Sequence, residues 1–175
     1  MAVIASFLIG RNGASTIGGI SSPLSTPADR TRFLVRHRSA GAFIIGKNSA
    51  SIESYEKSSQ PIFVFTRTTE KLEFTHPSMQ QITVRNDLSE IVRLLDQRID
   101  GDIVVEAGAQ LLLALIKTGV IDQLELTISP IEGDGHFVSV EELQKLRQLP
   151  QQLEQRQCTE LCEGAHAKRC MQGPQ

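Results

Sequence analysis

The sequence has 175 residues, of which 40% are hydrophobic and 22% are charged, and its formal net charge is −2. These values are ordinary for a soluble globular protein with one sizeable core, so we expect a single domain over residues 1–175. The charge balance argues against broad nucleic-acid binding. The apolar residues 2–9 lack a basic flank and are too short to span a bilayer, which favours a cytoplasmic enzyme or binding protein.

The chain begins with a predicted strand and a polar loop. Residues 2–9 predict a buried strand, which the turn at Gly10 ends. The loop that follows includes Ser21 and is too long to be a simple connector, and loops of this length are often functional.

A basic helix is predicted after the loop. Thr26 and Pro27 mark its start, because a hydroxyl N-cap followed by proline is favoured there, and Asp29 suits the positive end of the helix dipole. Phe33 and Leu34 are expected to form its buried side. His37 is a further candidate for this buried side. The four arginines Arg30, Arg32, Arg36 and Arg38 on pattern alone indicate a solvated basic face.

Three buried strands are predicted to end in residues that suit an anion. The strands cover residues 42–45, 62–65 and 103–105. The residues that follow them are Gly46 to Ser49, Thr66-Arg67-Thr68, and Glu106 to Gly108. In an open α/β sheet, ligands bind beyond the carboxyl ends of the strands, so these turns predict a phosphorylated dinucleotide site. Arg67 with Thr66 or Thr68 would hold a 2′-phosphate, which favours NADPH over NADH.

The stretch from Ile103 to Gly135 is predicted to be a strand, a small-residue turn, a helix and a second strand. Its helix covers residues 111–116 and is closed by Gly119, and its second strand covers residues 124–128. A small-residue turn at a helix N-terminus is an anion cradle. Glu106 beside this turn is either a group near the reacting centre or a carboxylate satisfied by backbone N–H groups.

The end of the chain predicts no metal site. Cys158, Cys162, His166 and Cys170 recur every four residues, and on one helix such a stripe is too long to close around one zinc ion.

A short strand at residues 82–84 and a helix capped by Asp87 precede the central stretch, and residues 157–171 predict an antiparallel hairpin. The expected fold is α/β with a mixed, mostly parallel sheet flanked by helices. No GxGxxG, GxxxxGK[ST], HExxH or deaminase zinc motif occurs.

The chain resembles the reductase domain of the riboflavin-biosynthesis deaminase/reductase, a member of the dihydrofolate-reductase-like fold. The most specific part is Glu106-Ala107-Gly108-Ala109, followed by Gly119 to Leu124, Pro130 and Gly133-Asp134-Gly135. Gly46 to Ser49 resembles the family's Gly-x-x-Thr turn, Gln60-Pro61 its Gln-Pro, and Asn12-Gly13 its Asp-Gly after the first strand.

This resemblance implies an NADPH-dependent reduction of the ribosyl group of 5-amino-6-(5-phosphoribosylamino)uracil, or a related pyrimidine, to ribityl. It implies cofactor contacts from Leu8, Gly10, Gly46, Ser49, Glu53, Thr66, Arg67, Gly108, Ala109 and Gln110. It implies substrate contacts from Ser21, Asp29, Arg36, His37, Arg38 and Glu106, with Glu106 as the catalytic candidate. His37 occupies the place of the family's substrate-phosphate arginine.

One departure from the family pattern and one resemblance to a sister family keep other functions open. The family's Asp-Asp-Pro-x-Leu-x-x-Arg segment is replaced here by residues 54–59, Ser-Tyr-Glu-Lys-Ser-Ser. Pro27-Ala28-Asp29 with Phe43 to Lys47 also resembles dihydrofolate reductases, and a non-catalytic NADPH-binding protein is a third hypothesis. The family resemblance further implies a homodimer, with residues 124–128 as a candidate interface, and a separate deaminase acting in the same pathway.

Overall fold

The computed structural model describes residues 2–52, 55, 58–74, 76–85, 87–141 and 143. Within them the strands are β1 (Val3–Gly10), β2 (Ala14–Thr16), β3 (Ala42–Gly46), β4 (Ile62–Thr66), β5 (Met79–Thr83), β6 (Ile103–Glu106), β7 (Gln123–Ser129) and β8 (Gly135–Phe137). The helices are α1 (Pro27–Ser39), α2 (Lys47–Ile52), α3 (Leu88–Asp96) and α4 (Ala109–Lys117), with a short 3-10 helix at Ser22–Leu24.

Six strands form one sheet in the order β5-β4-β3-β6-β1-β7, and every pair among the described residues is parallel. Helices α1, α2, α3 and α4 lie in four of the connections, whereas the connection between the parallel strands β4 and β5 contains no helix among its described residues. The predicted α/β class with a largely parallel sheet and flanking helices is therefore confirmed. Antiparallel pairing occurs in a second, small sheet, where β2 pairs with β8.

Local signals predicted the helix ends well. The side chain of Thr26 accepts a hydrogen bond from the backbone N–H of Asp29 at 3.2 Å, and the side chain of Asp87 accepts one from Ser89 N–H at 2.7 Å. Gly119 has a φ of 69°, the left-handed conformation that ends α4 at little steric cost.

The two faces of the sheet bury apolar side chains against different partners. On one face, alternate residues such as Ala5, Ile9 and Ile44 pack with Leu112 and Leu115 of α4. On the other face, the β3, β4 and β6 residues Phe43, Ile45, Ile62, Val64 and Val104 form a second cluster with Tyr55. Each fully buried side chain of this kind contributes about 1.5–3 kcal/mol to folding.

Helix α1 differs from the prediction. None of its residues is fully buried, and Leu34, expected on its buried side, is 41% exposed. The side chains of Arg32, Arg36 and His37 reach the sheet instead. The β1 and β7 residues that the two arginines contact, Ser6, Glu125 and Thr127, are polar, so this part of the helix docks through hydrogen bonds and an ion pair. His37 packs against Phe43 of β3.

Two other differences concern strands with weak local signals. The strand predicted at residues 82–84 lies at Met79–Thr83 and includes the glutamines 80 and 81. Gln81 is tolerated there because its side chain hydrogen bonds to the adjoining loop, accepting from Leu72 N–H and donating to the Glu70 carbonyl. Strand β2 was expected to be loop, since its three residues gain order only from pairing with β8.

Several predictions fall outside the described residues. They are the role of Glu53, the hairpin over residues 157–171, and the run of Cys158, Cys162, His166 and Cys170. Across the residues that are described, no helix combines the length and apolar character needed to cross a membrane.

Candidate active site

The three predicted anion-friendly turns meet at one edge of the sheet. Strands β4, β3 and β6 are adjacent and parallel, so their carboxyl ends lie side by side. Gly46 at the end of β3 pairs with Phe65, next to Thr66, and Ile45 pairs with Glu106 at the end of β6. Strand β1 extends beyond β6 on the other side, which brings Leu8 and Gly10 to the same edge.

Gly108 leaves open space at the start of α4. It is the N-cap residue, and no side chain caps the helix there. Its φ and ψ of −61° and 160° are open to any residue, and a Cβ added to it would meet nothing within 4 Å. A Cβ at Gly46 would meet only Leu111 Cδ2, at 3.9 Å. Packing within the described chain therefore does not demand glycine at either position, whereas a ligand close to the backbone would.

Thr66 and Arg67 follow the neighbouring strand. Thr66 is buried, and its hydroxyl accepts a hydrogen bond from Thr68 N–H at 3.2 Å, which fixes the turn. The side chain of Arg67 is exposed, and it forms no ion pair with any residue that the structure describes. A cation free of such a partner at this edge is chemically suited to an anionic group of a ligand.

Glu106 is the centre of a polar cluster. Its Oε1 lies 2.7 Å from His37 Nε2, and its Oε2 accepts a long hydrogen bond of 3.4 Å from the hydroxyl of Tyr55. The side chains of His37 and Glu106 are only 18% and 10% exposed. One hypothesis from the sequence was that Glu106 accepts hydrogen bonds from backbone N–H groups of the helix. The structure shows otherwise, because the described hydrogen-bond partners of Glu106 are side chains.

Aromatic rings surround the imidazole of His37. The ring centroid of His37 lies 3.9 Å from that of Phe33, 4.3 Å from that of Phe43 and 6.2 Å from that of Tyr55. Phe43 is fully buried in the sheet and Phe33 lies one helical turn before His37. The imidazole is therefore held from both sides while its Nε2 faces Glu106.

Arg36 is bound within the chain. Its guanidinium donates to Ser6 Oγ at 2.8 Å and forms an ion pair with Glu125. Burial lowers the pKa of Arg36 below its ordinary value, and the negative charges of Glu106 and Asp29 oppose that shift. The Nε of Arg36 is buried and has no hydrogen-bond partner among the described residues.

The remaining predicted site residues are spread around this edge. Asp29 accepts a 2.6 Å hydrogen bond from Ser25 and lies 4.0 Å from Arg32, while Arg38 is exposed on the far end of α1. Ser21 lies just before the 3-10 helix, and Ser49 lies in α2. Ala109 and Gln110 form the first turn of α4.

Sequence reasoning missed three members of the site. Ser6 and Glu125 alternate with buried residues on their strands and gave no motif, and their meeting with Arg36 depends on the strand order. Tyr55 lies in the segment that departs from the family pattern. Its one available signal was that it is the only tyrosine in the sequence.

The fold and this edge define an α/β protein of the dihydrofolate-reductase-like class. A dihydrofolate reductase from Enterococcus faecalis, solved in complex with NADP(H) and RAB-propyl, has a similar fold, with a TM-score of 0.56 and 16% identity over 80% of this chain and 79% of that one. More specifically, the family described as the RibD C-terminal domain matches residues 13–167. The chain belongs to that family.

Two further solved structures share the fold. A protein of Shewanella sp. PV-4 assigned to riboflavin biosynthesis has a TM-score of 0.60 and 19% identity, over 81% of this chain and 85% of that one. A deaminase/5-amino-6-(5-phosphoribosylamino)uracil reductase of Thermotoga maritima has a TM-score of 0.55 and 17% identity over 78% of this chain. The present chain spans about half, 47%, of the Thermotoga chain. No protein of curated function matches the sequence.

Proposed function

We propose that this chain is an NADPH-dependent reductase of riboflavin biosynthesis, which reduces the ribosyl group of 5-amino-6-(5-phosphoribosylamino)uracil, or a related pyrimidine, to ribityl. The observation that carries the proposal is the position of Glu106, at the end of β6 and two residues before the open helix start at Gly108. The carboxyl group of Glu106 is thus adjacent to a helix N-terminus that is suited to an anion, in a chain of the RibD C-terminal domain family.

The residues at the sheet edge fit a phosphorylated dinucleotide. The open space at Gly108 would admit a pyrophosphate to the N-terminus of α4, where backbone N–H groups and the helix dipole favour negative charge. Arg67 would hold the 2′-phosphate. When bound, the nicotinamide supplies the hydride for the reduction. The proposed cofactor contacts are Leu8, Gly10, Gly46, Ser49, Glu53, Thr66, Arg67, Gly108, Ala109 and Gln110.

The chain's own part in such a reaction is positioning and acid–base support. Opening a ribosylamine ring places a proton on the ring oxygen, and Glu106 is the proposed catalytic group, whose carboxylate accepts hydrogen bonds from the sugar hydroxyls and positions the ring for this proton transfer. The family resemblance also implies substrate contacts from Ser21, Asp29, Arg36, His37 and Arg38. Of these, the guanidinium of Arg36 and the Nε2 atom of His37 already have partners in the chain.

The direct test is NADPH oxidation by the purified protein with one of three additions. These are the phosphorylated ribosylaminouracil, dihydrofolate, or no substrate. We expect turnover with the pyrimidine, and Glu106→Gln should reduce kcat by about 100-fold, in the range of one lost acid–base group. Turnover with dihydrofolate alone would overturn the substrate assignment in favour of a pteridine reductase.

A second outcome bears on the non-catalytic alternative. Tight NADPH binding without turnover on either compound would favour a nucleotide-binding protein that retains the fold. The replaced segment at residues 54–59 motivates this alternative. Isothermal titration with NADPH and NADH measures the binding independently of turnover.

The proposal also covers the organisation of the protein. We expect residues 1–175 to act as one domain, in the cytoplasm and as a homodimer, with a deaminase supplying the aminouracil substrate. Light scattering of the purified protein at micromolar concentration tests the dimer, and a monomeric mass would contradict it.

A further inference from the structure

The hydrogen bond between His37 and Glu106 is the shortest side-chain contact that Glu106 makes among the described residues, at 2.7 Å. With Glu106 as the carboxylate, which can only accept hydrogen bonds, Nε2–H of His37 donates to Oε1. The bond is largely shielded from water, because the two side chains are 18% and 10% exposed. Such a charge-assisted bond is stronger than a neutral one.

The environment of His37 fixes the direction of this bond. Phe33 and Phe43 lie against the imidazole with ring centroids 3.9 Å and 4.3 Å away. Phe43 is fully buried on β3, whose neighbour in the sheet is β6, the strand that carries Glu106. The helix, the aromatic rings and the strand therefore hold the imidazole beside Glu106.

We propose that His37 is a positioning residue that acts through Glu106, and that it is not a ligand of the substrate phosphate. This inference rests on the proposed reductase function. Nε2 of His37 is hydrogen bonded to Oε1 of the carboxylate, while from the residues that the structure describes Oε2 receives only the 3.4 Å hydrogen bond of Tyr55. Oε2 therefore keeps capacity to accept a hydrogen bond from a sugar hydroxyl, and His37 decides where that oxygen lies.

The charged groups around His37 agree with this role. Glu106 faces it from β6, Arg36 precedes it on α1, and Tyr55 is the third polar side chain of the cluster. Arg36 is engaged by Glu125 and Ser6, so it does not compete for Oε1. Arg36 also interacts electrostatically with Glu106.

Three variants separate positioning from a general structural role. His37→Ala removes the donor, His37→Gln keeps an N–H donor of similar reach, and Tyr55→Phe removes the weaker contact. We expect His37→Ala to lower kcat by roughly tenfold to a hundredfold with a small change in KM, as misplacement of a reacting group does. His37→Gln should stay within about threefold of wild type. Val35→Ala, an exposed position on the same helix, is the matched control.

A phosphate ligand would behave differently. If His37 binds the substrate phosphate, His37→Ala would raise KM for the phosphorylated substrate and leave KM for its dephosphorylated analogue unchanged. That pattern would overturn the inference, as would a His37→Ala protein with the kcat of wild type.

An NMR measurement tests the contact without turnover. In protein with ¹⁵N-labelled histidine, we expect a slowly exchanging Nε2–H resonance that disappears in His37→Gln, which assigns it, and in Glu106→Ala. Absence of this resonance in the wild type would overturn the inference even for an active enzyme. If the resonance is present in a wild-type protein that turns over no pyrimidine, the reductase proposal fails, and the catalytic role of His37 fails with it. The hydrogen bond between His37 and Glu106 would still be confirmed.

Discussion

Arg36 on α1 and Glu125 on β7 form an ion pair across the face of the sheet, and the same guanidinium donates to Ser6 on β1. This pair takes the place of the apolar contacts by which a surface helix usually packs. Leu34 and Val35 of α1 are correspondingly 41% and 58% exposed. The position of α1 on the sheet, and with it the position of His37, depends on these polar contacts.

Removing Arg36 should therefore loosen α1. Its side chain is 12% exposed in the pair, and we expect Arg36→Ala to lower the free energy of unfolding by roughly 1.5–3 kcal/mol, the range for hydrogen bonds to charged groups. Urea denaturation followed by circular dichroism measures this loss. Arg38→Ala, at an exposed position, is the control and should change stability by less than about 0.5 kcal/mol. Additive effects of Arg36→Ala and Glu125→Ala would contradict coupling between the two residues.

Gly133 should not tolerate a side chain. A Cβ there would lie 2.5 Å from the carbonyl oxygen of Thr16 and 2.7 Å from the Cβ of Ala14, both in β2. We expect Gly133→Ala to destabilise the protein by about 1–3 kcal/mol, because the backbone must shift to relieve the clash. Thermal unfolding tests this, and an unchanged Tm would show that the loop yields more easily than its packing indicates.

Gly108 offers the opposite case, since a Cβ there meets nothing within 4 Å. Asparagine and aspartate are both good N-caps, so Gly108→Asn and Gly108→Asp should unfold at or above the Tm of wild type. NADPH binding should weaken in both, and more in Gly108→Asp, because its carboxylate repels the cofactor phosphates. Equal affinity in wild type and Gly108→Asp would rule out a phosphate at this helix start.

Arg67 should distinguish the two nicotinamide cofactors. It is exposed at the end of β4 and forms no ion pair with the described residues, so Arg67→Ala should leave stability nearly unchanged. We expect the Kd for NADPH to rise about tenfold or more, as for a lost charge-assisted contact, while the Kd for NADH changes little. An equal loss for both cofactors would contradict a role at the 2′-phosphate.

Asp87 should make stability depend on acid pH. Hydrogen bonds from the side chain and backbone of Ser89 lower its pKa below the ordinary 3.8. A carboxyl whose pKa is lowered by folding adds stability above its unfolded value, and this contribution disappears as the pH falls through the folded value. Asp87→Asn keeps the cap without titrating, so the Tm difference between wild type and Asp87→Asn should shrink from pH 5 toward pH 3. A constant difference would contradict this.

The sequence predicted those features that depend on neighbouring residues. The caps at Thr26 and Asp87, the glycine at position 119 and the alternation in β7 were all confirmed because each is a local physical preference. Parallel strands ending in glycine, threonine and arginine predicted correctly that these turns share one edge.

Features that depend on the order of strands in the sheet could not be predicted from the sequence. The expectation that Leu34 lies on the buried side of α1 was wrong, because Ser6, Glu125 and Thr127 accept the basic side chains of the helix. No local pattern indicates that the strands carrying these residues adjoin the helix. The pairing of β2 with β8 joins residues more than a hundred positions apart. The contact of Tyr55 with Glu106 depends in the same way on long-range packing.

The position of β1 has a consequence for how the chain acquires its fold. Val3 pairs with Ile103 and Ile4 pairs with Gln123, so the first strand gains both neighbours only when the last third of the chain is present. During synthesis, the apolar β1 residues remain without their sheet partners while about a hundred further residues are added. Such long-range pairing slows folding and prolongs exposure of an aggregation-prone strand. The yield of active protein should therefore depend on chaperone supply and on growth temperature.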